Sequence, residues 1–209
     1  AAAYTNVDGA ESQRKKANAV NNLSLHFLVE LSNSYNFILI HFSTDYVFDG
    51  QTKHPYLENN VMKPINYYGF TKSLGDRYIM EKCNQYYIFR VSWLYSPFGN
   101  NFVTKMIALS AKNSIEIIDD QFGKPTSAVY LSKFLNQLIL KRYKLEFGIY
   151  NFSSNGSEVS WSGFATEIFA NAFNCNLIDS IPKIINITSE RYNAVSLKPS
   201  YSVLSNEKI

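Results

Sequence analysis

One apolar run constrains this chain more than any other stretch: Phe37-Ile38-Leu39-Ile40-His41-Phe42, with no acid, lysine or arginine in it. Such a run reads as a strand covered on both faces, the kind found in parallel sheets. It leads into Ser43-Thr44-Asp45-Tyr46-Val47-Phe48-Asp49-Gly50. Polar groups at the carboxyl end of a buried strand stand where open α/β sheets bind ligands. A second buried strand is expected over residues 87–92, ending at Trp93, a third over 115–119, and a short one over 149–152. Helical spacing falls between them, over residues 14–35, from Tyr68 to about 84, over 102–111 and over 129–141, and Ser160 caps a further helix to 173. Residues 7–11 and 49–65 read as loops. The alternation predicts an α/β fold with a doubly wound parallel sheet.

Some twenty residues beyond Thr44 comes Tyr68-Gly69-Phe70-Thr71-Lys72. Positions four apart share one helix face, so a phenol and an ammonium can enter the same pocket. A free tyrosine, with a pKa near ~10, is a poor acid at neutral pH. A neighbouring ammonium favours the phenolate, so Lys72 is expected to lower the pKa of Tyr68 toward a working value. Tyr-x-x-x-Lys alone arises easily by chance in a chain with 15 tyrosines. Its combination with Thr44 at a strand end is what gives it weight.

Composition narrows the field further. A length of 209 residues can bury a sizeable core, and 46% hydrophobic with 15% aromatic residues is globular rather than disordered. The net charge of +3 comes without a basic block, so neither nucleic acid nor an anionic membrane is indicated as a partner. No apolar segment reaches the ~18 residues of a membrane span, and no signal peptide is visible. Cys83 and Cys175 stand far apart and read as free thiols of a reducing, cytoplasmic compartment. His26, His41 and His54 form no metal pattern, so no metal is expected, and His41 inside its strand reads as a satisfied core residue.

These blocks resemble the extended short-chain dehydrogenase/reductases, and within them the dTDP-4-dehydrorhamnose reductases. The resemblance runs through 43–50, Pro55-Tyr56-x-Glu58, Pro64, Tyr68-Gly-x-Thr-Lys72, Arg90-Val91-Ser92-Trp93-Leu94-Tyr95, Gly99-Asn100-Asn101-Phe102, Asp120-Gln121-x-Gly123-x-Pro125-Thr126, Gly148-x-Tyr150 and Ser160-Trp161-x-x-Phe164-Ala165. It implies a Rossmann-like domain that reduces the 4-keto group of a nucleotide-linked sugar with NADPH or NADH. By that resemblance Tyr68 protonates the C4 oxygen, Lys72 tunes Tyr68 and holds the nicotinamide ribose, and Thr44 bonds the substrate oxygen. Ala3, Tyr4, Thr5, Phe42 and Ser43, together with Tyr68 and Lys72, are the implied cofactor contacts. Thr44, Asp45 and Trp93 are the implied substrate contacts, with Asp120, Gln121 and Thr126 weaker candidates. A nucleotide sugar is the implied partner, and a homodimer is compatible with the family. Lys198 stands before Pro199 where the family usually carries arginine, and lysine is not equivalent in a bidentate contact.

Other readings share the fold: a cofactor-binding regulatory subunit resembling the β subunit of methionine adenosyltransferase, or a nucleotide-sugar epimerase or dehydratase. Dehydratases generally pair Asp with Glu where this chain has Asp45-Tyr46. The resemblance also implies that residues 1–5 end a central strand, with a glycine-rich phosphate loop further upstream. No such glycine cluster occurs here, so roughly 60 residues, about two βα units, are expected to be wanting. If these 209 residues were the whole polypeptide, an inactive protein would be expected. Residues 1–145 are assigned to the Rossmann-like domain, with 93–126 contributing to the substrate site, and 146–209 to a small substrate-binding lobe interleaved with it.

Overall fold

The computed structural model describes residues 2–209. Residues 2–6 run without regular structure into α1 (Val7–Ser12), which Asn6 opens by accepting from the Gly9 amide. The expected loop at 7–11 is therefore a helical turn. Asn6 supplies the N-cap and Asp8 the negative charge a helix N-terminus favours. Next come α2 (Arg14–Asn18), one π turn (Ala19–Leu23) and α3 (Ser24–Tyr35). The expected single helix over 14–35 is thus widened in its middle. Asn36, left-handed with φ 54, ends α3 before strand β1 (Leu39–Thr44).

A short 3₁₀ turn (Asp45–Val47) breaks off β1, and a long loop leads to α4 (Tyr67–Lys82) and then β2 (Tyr86–Val91). Beyond lie β3 (Leu94–Tyr95), α5 (Phe102–Leu109), β4 (Ser114–Ile118), β5 (Phe122–Gly123), β6 (Thr126–Ser127) and α6 (Ala128–Ile139). The chain finishes with β7 (Gly148–Phe152), β8 (Val159–Ser160), α7 (Trp161–Asn174), β9 (Lys183–Ile187) and α8 (Ser189–Tyr192). Ser160 caps α7 as its position suggests, accepting from the Gly163 amide.

Strands β1, β2 and β7 form a parallel sheet in that order. Side-chain alternation sorts its two faces. Leu39 and Ile88 turn toward α3 and α4, where they meet Leu25, Val29, Ile79 and Cys83. Ile40, Phe42, Tyr87 and Phe89 turn the other way, against Phe134, Leu135 and Leu138 of α6. Helices thus cover both faces, as the apolar runs require. Burial of side chains such as Ile88 and Phe89, both 0% exposed, stabilises by about 1.5–3 kcal/mol apiece.

A second cluster gathers α5 and α7 over the parallel pair β4 and β9, around Met106, Ile117, Ile168 and Phe169. Segment 102–118 therefore packs with the later part of the chain, while β7 belongs to the main sheet. The tail then crosses between them: Tyr56 pairs with Leu204, and Phe122 with Tyr201. No described helix is long and apolar enough to cross a membrane.

Candidate active site

The polar end of β1 and one face of α4 build the site. Asn66 caps α4 by accepting from the Gly69 amide, and Glu11 of α1 accepts from the Tyr67 amide. Gly69 lets the helix come close: a β-carbon there would lie 2.0 Å from the carbonyl oxygen of Tyr46. Tyr68 is set in this way against the strand end, its ring edge-on to Tyr46 at 5.9 Å between centroids.

Thr44 is buried at the last position of β1. Its hydroxyl donates to Asp45 Oδ1 at 3.0 Å and accepts from the Tyr46 amide at 3.3 Å. Asp45 is 3% exposed, and its Oδ2 has no hydrogen-bond partner among the described residues. Burial pushes its pKa up to about 7, against the hydroxyls of Ser202 and Thr44. A buried carboxyl with a free oxygen beside a hydroxyl can bond a ligand hydroxyl, as donor or acceptor according to pH.

Tyr68 and Lys72 share a helix face, as their spacing requires. The expected depression of the Tyr68 pKa is not found: burial pushes the phenol up to about 12. Thr44 pulls the other way, while the charges of Asp45 and Asp76 add to the rise. Lys72 instead turns toward the sheet. Its ammonium donates to the Phe42 carbonyl at 2.6 Å and lies 3.1 Å from His41 Nε2. Burial brings this ammonium down to about 8, and the charge of Asp76 resists the fall. A phenol held protonated is an acid, and a buried ammonium is a donor for ligand hydroxyls.

Other expected contacts are spread unevenly. Phe42 offers the site its carbonyl, since its ring packs toward α6. Ser43 points beneath α4 and donates to Asp76 Oδ2 at 2.7 Å. Ala3 and Thr5 are exposed and flank Tyr4, whose amide and carbonyl both bond the side chain of Asn21. That asparagine, buried in the π turn, also donates to Thr71 of α4 at 3.1 Å. Sequence reading passed over it, and only its place in a run of polar residues within a helix could have drawn notice. Asp76, four positions beyond Lys72, was passed over as well, though its spacing was in plain view.

Trp93 follows β2 in the left-handed region, φ 48, a strained setting for so large a residue. It stacks on Trp161 with 3.5 Å between ring centroids. Trp161 donates to Gln121, which in turn bonds Ser189. Asp120 receives the Ser189 amide and hydroxyl at the start of α8, and Thr126 is buried where β6 pairs with β3. A cavity of about 240 Å³ opens beside them, lined among others by Tyr46, Phe102, Lys105, Trp161, Tyr192 and Lys198. Aromatic walls with two ammonium groups suit an aromatic, anionic ligand end.

The model of the RmlD substrate binding domain matches residues 1–209. A dTDP-4-dehydrorhamnose reductase of Aggregatibacter actinomycetemcomitans is 34% identical over 213 residues, which take in 100% of this chain and 72% of that one. The dTDP-4-dehydrorhamnose reductase of Escherichia coli (strain K12) is likewise 34% identical, over 100% of this chain and 70% of its own. In three dimensions the chain is similar to the dTDP-4-dehydrorhamnose reductase of Bacillus anthracis crystallised with NADP. The TM-score is 0.89 at 34% identity, covering 98% of this chain and 70% of that one.

Proposed function

Since the chain belongs to the RmlD substrate binding domain family of extended, Rossmann-like short-chain reductases, we propose that it acts as a dTDP-4-dehydrorhamnose reductase. The reaction takes the 4-keto group of dTDP-4-dehydro-L-rhamnose to the alcohol of dTDP-L-rhamnose. A nicotinamide dinucleotide, NADPH or NADH, supplies the hydride when bound. The donor set fits such a cofactor: the buried Lys72 ammonium, resting on the Phe42 carbonyl beside His41, has protons to give to a ribose hydroxyl. Lys72, Tyr68 and the backbone of Phe42 would hold it, with residues 3–5 and Ser43 alongside.

Conversion of a ketone to an alcohol needs one proton beside the hydride. Tyr68 gives it to the C4 oxygen, and the phenol stays loaded at neutral pH because burial holds its pKa near 12. Thr44, turning its hydroxyl proton away from Asp45, donates to the same oxygen and keeps the carbonyl in line with the phenol. Asp45 takes a sugar hydroxyl on its unpartnered Oδ2. Trp93 shapes the sugar subsite through its stack on Trp161, and the nucleotide end occupies the cavity between Phe102 and Lys198. We assign residues 1–145 to the cofactor-binding part, with 93–126 contributing to the substrate site, and 146–209 to a substrate lobe interleaved with it, since β7 joins the main sheet. Two free cysteines and a reduced cofactor support a cytoplasmic setting. A homodimer is compatible with this reading.

One observation carries the proposal: β1 ends in the buried Thr44 hydroxyl and the Asp45 carboxyl with its free oxygen, Tyr68 stands edge-on to Tyr46 next to them, and Lys72 of the same helix reaches the Phe42 carbonyl of that strand. Incubation with dTDP-4-dehydro-L-rhamnose and NADPH or NADH, followed by chromatography of the sugar nucleotide, tests it. Formation of dTDP-L-rhamnose that Tyr68→Phe abolishes is the expected result. A bound cofactor with the keto sugar left untouched overturns it.

A further inference from the structure

Behind the reacting face of α4, one hydrogen-bond count does not balance. His41 Nε2 lies 3.1 Å from the Lys72 ammonium and 3.4 Å from Asp76 Oδ1. A neutral imidazole nitrogen accepts or donates, and cannot do both. When Nε2 accepts from Lys72 it meets Asp76 lone pair to lone pair. When it donates to Asp76 it turns a proton toward the ammonium. An ammonium can only donate, so the 3.1 Å contact favours the first arrangement, which leaves Asp76 Oδ1, in a residue 0% exposed, without a well-aligned donor among the described residues. The other oxygen is well served, by Ser43 Oγ at 2.7 Å and Arg90 Nε at 3.5 Å.

The fold makes this triangle on purpose-built spacing. Residues 41 and 43 alternate onto the α4 face of β1, Arg90 stands opposite Ser43 in the register, and Asp76 follows Lys72 by four on the helix. An unpaired buried carboxylate oxygen is costly, and such a group calls for an explanation.

We infer that His41 and Asp76 are positioning residues that form a two-position latch for Lys72. In one position the ammonium rests on His41 Nε2 and the Phe42 carbonyl. In the other it swings to a ligand hydroxyl, and the imidazole adopts its second tautomer and donates to Asp76 Oδ1. One proton arrives at Nε2 as one leaves Nδ1, so the imidazole stays neutral throughout. Departure of Lys72 from the sheet is then compensated by a hydrogen bond that was missing before, and the orphaned carboxylate oxygen is satisfied in the cofactor-bound protein. The charged and titratable groups around the latch are Lys72, Tyr68 and Asp76 of α4, His41 of β1 and Arg90 of β2. Burial holds His41 below its ordinary value, in the neutral form that a tautomer exchange requires.

The inference rests on Lys72 contacting the cofactor, so its test separates the two. Protein labelled with ¹⁵N-histidine reports the tautomer directly, with the His41 signals assigned by His41→Gln. Nε2 should resonate as an unprotonated nitrogen in the free protein and as a protonated one with saturating NADPH. An unchanged tautomer with NADPH demonstrably bound overturns the latch. A second measurement needs no cofactor: the titration midpoint of Lys72, read from ¹³Cε-labelled lysine. It should fall by roughly one unit or more in Asp76→Asn, which removes the facing charge, and fall also in His41→Leu. His41→Gln should restore it, because one amide can accept from Lys72 while donating to Asp76. If Asp76→Asn does not fold, His41→Leu and His41→Gln decide the matter. Identical midpoints in these variants overturn the latch even if NADPH fails to bind. Failure to bind both NADPH and NADH, by contrast, counts against the reductase reading.

Discussion

Tyr68 and Asp45 carry opposite consequences of the same burial. Tyr68, pushed up to about 12, remains a loaded acid over the whole working range. Its removal in Tyr68→Phe should lower kcat by about 10²–10⁴ while cofactor affinity stays within a few fold, measured by steady-state rates and fluorescence titration. The basic limb of the rate profile should then follow Lys72, whose ammonium discharges near pH 8. Asp45 is raised from 3.8 to about 7, so the folded protein binds a proton that the unfolded chain gives up. The stabilisation is complete below pH 4 and is lost as pH climbs through 7. Asp45→Asn should therefore flatten the fall in Tm between pH 5 and 8, and a wild-type-like slope would show that Asp45 titrates normally. Thr44, Tyr68 and Lys72 could be read from the sequence because a strand end and an i, i+4 spacing are local properties. The direction of the Tyr68 shift could not: it depends on which way Lys72 turns and on how much of the chain covers the phenol.

At the scale of elements, α4 is held at both ends of its reactive face. Gly69 sits against the Tyr46 carbonyl, and Asn21 of the π turn ties Thr71 to the backbone of Tyr4. Gly69→Ala has no room for its methyl group. It should cost about 1–3 kcal/mol in urea unfolding and also lower kcat by tilting Tyr68 away from Thr44. Asn21→Leu removes three hydrogen bonds and leaves the Tyr4 backbone unpaired, which should cost about 1–3 kcal/mol and speed amide exchange at Tyr4. Exchange unaltered from wild type would mean that residues 2–6 are held by something else. The long strands and helices were legible because their periods of two and 3.6 are sustained. The π turn was not, since a widened turn keeps the composition of a helix. Strand β9 escaped notice because Lys183 and Asn186 interrupt its apolar residues and its partner β4 lies about 70 residues away, as the pairing Ile117 with Asn186 shows.

The whole molecule is closed by its tail, which no local pattern announces. Ser196 bonds Asp8 of α1 at 2.5 Å, Leu197 offers its carbonyl to Asn66, and Ser200 and Ser202 pair with Phe122. Val203 and Ser205 then bracket Tyr56, and Leu204, 0% exposed, completes a small core with Val47, Phe48 and Tyr56. That core lies directly under the turn bearing Asp45, and the Ser202 hydroxyl works against the rise of the Asp45 pKa that burial causes. One strip of chain thus joins the sheet, the α5–α7 cluster and the proposed sugar subsite. Leu204→Ala leaves a cavity where these meet and should cost about 2–5 kcal/mol. Its kinetic signature should be lopsided. The KM for the nucleotide sugar should rise, because Asp45 and Lys198 lose their backing. NADPH affinity should hold, because Lys72 is anchored through β1 and α4 and touches nothing in the tail. Equal losses for both ligands would show that the tail supports the fold as a whole rather than the substrate side of the site.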